Sequence, residues 1–135
     1  MKNLDLLAAK AAQTIIDETT RPDIKATEVE NVITKALGVL QEDGVYAALL
    51  YLYSRGKVTE RPIVKSTREK LLDLMKDLAL SVPASKDAEI ALKFLTDHVC
   101  NDLDRLLLVK QLWEQTLIYA RYGAKARGAA EEAKP

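Results

Sequence analysis

Apolar residues recur along this chain at three- and four-residue intervals almost everywhere, which is the spacing of amphipathic helices. The five glycines and four prolines fall between the periodic runs or near the end, so no alternating strand pattern is left to build a sheet. Leu4, Leu7, Ala8, Ala11, Ala12 and Ile15 form a first stripe that stops before Pro22, because proline disfavours helical geometry in the residue preceding it. This predicts a helix over roughly residues 4 to 18. Thr27 and Glu30 match a capping box at the start of a second helix, whose stripe is Val29, Val32, Ile33, Ala36, Leu37 and Leu40.

Gly44 either ends that helix or bends it. The run from Val45 to Tyr53 is apolar on nearly every side, as expected of a buried central helix. Gly56 closes it, and Ser66 with Glu69 offers a second capping box for a fourth helix. The inner face of that helix is Leu71, Leu72, Met75, Leu78, Ala79 and Val82, ending at Pro83. Ser85 is placed to cap a fifth helix and Asn101 a sixth, each followed by acids that suit a helix N-terminus. Residues 1 to 127 are expected to form a single compact all-α bundle of five to six helices with a long C-terminal helix. Gly128 to Pro135 is expected to be a flexible tail.

Charge changes this picture more than composition does. The 135-residue chain has a formal net charge of zero, yet Arg55, Lys57, Arg61, Lys65, Arg68 and Lys70 fall within sixteen residues, opposed only by Glu60 and Glu69. Residues 1–54, 55–70, 71–104 and 105–135 carry net charges of −3, +4, −4 and +3. Such alternation suits contact with a polyanion at one surface, or stacking on copies and on differently charged subunits. Basic groups early in a helix oppose its dipole, so Lys65, Arg68 and Lys70 are not explained by helix stability. On a helical wheel the last helix sets Lys110, Arg121 and Lys125, with Glu114 among them, beside an apolar side made by Leu106, Val109, Leu112, Trp113, Thr116, Tyr119, Ala120 and Ala124. Arg127 extends the basic end. Whether this stripe and the 55–70 block share one face decides how large the basic surface is.

Catalytic chemistry finds little to work with. The single histidine, His98, and the single cysteine, Cys100, lack the further ligands zinc requires and fit a structural place at the end of the fifth helix. Asp97, Asp102 and Asp104 could hold a divalent ion, although helix capping accounts for Asp102 and Asp104. Gly38, Gly44 and Gly56 are too far apart for a phosphate-cradling loop. Tyr46, Tyr51, Tyr53, Trp113 and Tyr119 recur at helical spacing and read as core or interface residues. Tyr122, next to Arg121, is the aromatic best placed to meet a base. With no apolar leader, no span near 20 residues and no possible internal disulfide, a soluble cytoplasmic protein without cofactor or catalytic metal is expected.

Two segments carry a family resemblance: Ala36-Leu37-Gly38-Val39-Leu40-Gln41-Glu42-Asp43-Gly44-Val45-Tyr46-Ala47-Ala48-Leu49-Leu50-Tyr51-Leu52 and Leu112-Trp113-Glu114-Gln115-Thr116-Leu117-Ile118-Tyr119-Ala120-Arg121-Tyr122-Gly123-Ala124-Lys125-Ala126. Together they resemble the small all-helical subunit of type III-B (Cmr) CRISPR effector complexes, the fifth-numbered protein of that set. The resemblance implies a non-catalytic role in antiviral defence. It further implies stacking along the effector filament with copies of itself and other Cmr subunits, and sequence-independent contact with the guide–target RNA duplex region. By position it implies RNA-facing roles for Arg121 and Lys125, whereas the 55–70 block is read as RNA-binding on charge alone. A helical protein–protein adaptor that never touches nucleic acid is the competing expectation.

Overall fold

A computed structural model of the chain describes residues 3–54, 56–78, 80 and 83–133. Within them six α-helices follow one another: α1 Leu4–Thr19, α2 Ala26–Asp43, α3 Val45–Ser54, α4 Arg61–Asp73, α5 Ala88–His98 and α6 Leu103–Glu132. A 3₁₀ turn, Leu74–Leu78, continues α4. There is no strand among the described residues.

Capping explains where two helices begin and corrects several expected starts. The Asn3 side chain accepts from the Leu6 amide and opens α1, and the Asp102 carboxylate accepts from the Arg105 amide and opens α6. Asn101 instead donates its side-chain amide to the Asp97 carbonyl at the end of α5. The Ser85 hydroxyl accepts from the Asp87 amide, and it is Asp87 that precedes α5. Neither capping box forms. Helix α2 already starts at Ala26, because its buried face begins there and continues through Val29. Helix α4 starts five residues before Ser66, with Pro62 in its first turn, where a missing amide hydrogen costs nothing. Ala79 and Val82, expected on its inner face, lie outside the described residues.

Gly44 has φ of +98° and separates α2 from α3 into two helices meeting at a corner. A side chain there would meet no neighbour, so the glycine is required by its backbone conformation alone. Helix α3 buries Val45, Ala48, Leu49 and Leu52, and leaves Tyr46 and Leu50 exposed on its outer side.

The helices surround one core in the order α1, α4, α3, α2, α6 and back to α1, with α5 closing the α3 side. Helix α6 runs about 45 Å at 1.5 Å per residue, alongside α1 and against α2. Its buried residues Val109, Leu112, Trp113, Thr116, Leu117, Ala120 and Ala124 are the expected inner side with Leu117 added; Leu106 and Tyr119 are only partly buried. Gly123 lets α1 approach, since a β-carbon there would stand 3.0 Å from Ile16.

The expected tail from Gly128 is helical through Glu132. Arg127 is the reason. Its guanidinium donates to the carbonyls of Thr19 (2.9 Å), Arg21 (3.3 Å) and Ile24 (2.7 Å), and pairs with Glu131 at 2.9 Å. These bonds hold the end of α6 to the α1–α2 connection, so its last turns have a partner.

Candidate nucleic-acid interface

The basic block divides among three tasks. Arg55 lies outside the described residues. Arg61, Lys65 and Arg68 stand at i, i+4 and i+7 along α4 and so form one row on its α3 side. Arg61 and Lys65 are exposed, and among the described residues neither forms an ion pair. The Arg68 guanidinium sits 4.8 Å from the centre of the Tyr53 ring, and its Nε is buried without an acceptor. Stacking on an aromatic face restrains a guanidinium without neutralising it. Tyr53 is fixed in turn, donating its hydroxyl to the Lys86 carbonyl at 2.6 Å.

Lys70 faces the other way. It pairs with Glu18 of α1 at 3.2 Å, and the same carboxylate accepts from the Ser66 hydroxyl at 2.6 Å. The Ser66 hydrogen bond, seconded by Lys70, holds the Glu18 carboxyl below its ordinary range. Lys70 and Ser66 therefore fasten α4 to α1, and the charge of Lys70, expected to face RNA, is shared with an internal partner.

Lys57 borders a polar hollow of about 250 Å³ shared with Lys35, Asn31 and Thr59. Glu28 and Glu60 line it as well, and Glu60 lies 3.9 Å from Lys57. Two carboxylates offset two ammonium groups there, so Lys57 projects a weaker field than its place in the sequence suggests. Lys35 is the basic residue that sequence reasoning missed. It stands alone within an acidic segment, and only the fold brings it beside Lys57.

On α6, Lys125 is exposed and its ammonium lies 5.8 Å from the Tyr122 ring centre. Tyr122 is 62% exposed. Lys110 and Arg121 are half-buried, and the Arg121 Nε lacks an acceptor. Arg127 is not available to a ligand, because its side chain is only 11% exposed and is spent on three carbonyls and Glu131.

The two basic rows do not merge. Gly128, seven residues beyond Arg121 and on the same side of α6, abuts Ala26 of α2, so the Lys110–Arg121–Lys125 stripe follows the α2–α6 seam. The Arg61–Lys65–Arg68 row follows the α3–α4 seam. Helices α2 and α3 lie between them. A ligand touching both rows has to cross those two helices.

His98 packs its ring 4.9 Å from Phe94, and burial pushes the Cys100 thiol upward, away from the reactive thiolate. Among the described residues no three His, Cys, Asp or Glu side chains converge as metal ligands. No described helix is long and apolar enough to cross a membrane. No protein family, no curated protein and no solved structure matches this chain.

Proposed function

We propose that this chain is a non-catalytic, cytoplasmic small subunit of a type III-B (Cmr) CRISPR RNA-guided effector complex, holding RNA through phosphate contacts made by two separate basic rows. The identity rests on the resemblance carried by residues 36–52 and 112–126. The α2–Gly44–α3 corner and the long terminal helix are consistent with it. The observation that carries the RNA reading is the Arg61–Lys65–Arg68 row: three cations on one helix side, without a carboxylate partner among the described residues and with one of them held by Tyr53. Cations left unpaired retain their full attraction for phosphate, read no bases, and give affinity that falls with salt. Lys125 and Tyr122 offer a charge beside an exposed ring on the second row.

An adaptor role without RNA has its own support, since Leu103 and Leu107 on the first turns of α6 are 68% and 55% exposed. Native co-purification with RNA analysis separates the two readings. The paired variants Arg61→Glu/Lys65→Glu and Arg121→Glu/Lys125→Glu are each expected to release guide-length RNA. Each should also flatten the salt dependence by close to one unit of slope for every phosphate that is no longer neutralised. Retention of RNA by both variants, or binding indifferent to salt, would favour the adaptor.

A further inference from the structure

On the far side of the bundle from the α3–α4 row, α1 and α6 run side by side and leave an open groove of about 370 Å³. Its floor is small and apolar: Ala9, Ala12 and Ile16 from α1, and Gly123 from α6. Asp5 and Asp17 stand at its two ends. They are twelve residues apart on one helix, about 18 Å at helical rise. No lysine or arginine lines the groove.

The two carboxylates differ in what local chemistry explains. Asp5 lies in the first turn of α1, where the helix dipole favours an anion, and it accepts the Tyr119 hydroxyl. Asp17 lies in the last turn, where an anion opposes the dipole and no basic residue accompanies it. The Asp17 side chain makes no ion pair among the described residues. Its charge is thus unaccounted for by α1 itself.

We propose that this groove receives a cationic amphipathic α-helix of a partner protein, whose small apolar ridge lies on Ala9, Ala12 and Gly123 and whose basic residues, about eleven positions apart, meet Asp5 and Asp17. A floor of alanine and glycine admits a helix at close interaxial distance. Opposite charges at both ends fix its register and exclude phosphate backbones. A second copy is a poor occupant: between its exposed Leu103 and Leu107 lie one acid, Asp104, and one base, Arg105, and its Lys110 and Arg121, eleven positions apart, are half-buried along the α2–α6 seam. This surface is independent of the RNA reading.

The test uses the full chain, ¹⁵N-labelled, and a 16-residue amidated peptide of leucine, alanine and glutamine with lysines at positions 2 and 13. Amide shifts are expected at Ala9, Ala12, Ile16 and Gly123. Asp17→Lys should weaken the peptide at least tenfold, and a peptide with glutamate at position 13 should regain binding to that variant. Asp17→Lys improves the dipole match of α1, so its fold is expected to persist; Ala9→Gln, which fills the floor, is the second variant and should weaken both peptides. Shifts centred on other surfaces, equal affinity of wild type and Asp17→Lys, or concentration-dependent shifts at these amides without peptide would each overturn the proposal, the last by giving the groove to a second copy.

Discussion

The indole nitrogen of Trp113 donates to the main-chain carbonyl of Leu71 at 2.9 Å, across the whole core from α6 to α4. Leu71 lies in the last turn of α4, where the helix tightens into the 3₁₀ turn and carbonyls lose their regular partners. The indole satisfies one of them from another helix. Trp113→Phe keeps most of the apolar volume and removes only the donor, so it is expected to cost about 1–3 kcal/mol. Trp113→Ala adds the cavity and should cost about 3–5 kcal/mol. Urea unfolding followed by circular dichroism measures both; equal midpoints for wild type and Trp113→Phe would show that the bond contributes nothing.

Arg127 is expected to be a stability residue rather than a ligand residue. Its planar guanidinium reaches three carbonyls at once, which an ammonium group cannot copy. Arg127→Lys and Arg127→Ala should therefore both destabilise, by about 1–3 kcal/mol for the charge-assisted hydrogen bonds they remove. RNA retained per folded molecule should stay unchanged in either variant. A drop in RNA binding at full stability would return Arg127 to the ligand surface.

Glu18 gives the fold an acid-side dependence. Its carboxyl titrates lower in the folded chain than in the unfolded one. The stabilisation is therefore present above the unfolded value and is lost as pH falls through the folded value. Ser66→Ala removes the largest cause of the depression. It should lower the unfolding free energy at pH 7 by about 1 kcal/mol or less for this partly exposed pair, and lose less stability than wild type as pH falls below the ordinary carboxylate value of the unfolded chain. Parallel pH profiles for the two proteins would contradict the assignment.

Helical class, helix order and the buried side of α6 were legible in the sequence because they depend on apolar spacing, and the burial of Val109, Leu112, Trp113 and Ala120 follows that spacing directly. Helix starts were less legible. Ser66 and Thr27 have the chemistry of caps, but Ser66 found a tertiary carboxylate 48 residues away, and α2 had apolar reasons to begin at Ala26. The basic block was visible as charge, yet its division was not. Lys70 and Arg127 look like free cations until Glu18 and the α1–α2 connection come alongside, and those approaches depend on how the helices meet. Lys35 was hidden for the same reason. No local pattern announces that a lone lysine on α2 will stand beside the turn that carries Lys57.

The pairing of α1 with α6 joins the two extremes of the chain: Tyr119 reaches Asp5 across 114 residues, and Arg127 reaches Thr19 across 108. Of these two helices, α1 is made earlier and waits for α6 before its main neighbour exists, with α4 and the 3₁₀ turn after it to lie on in the meantime. Closing so long a loop carries an entropic cost before any contact rewards it. Assembly of the bundle is consequently a late, whole-chain event, and a nascent chain stalled before α6 leaves the Ala8–Ala12–Ile15 stripe uncovered for chaperones to meet.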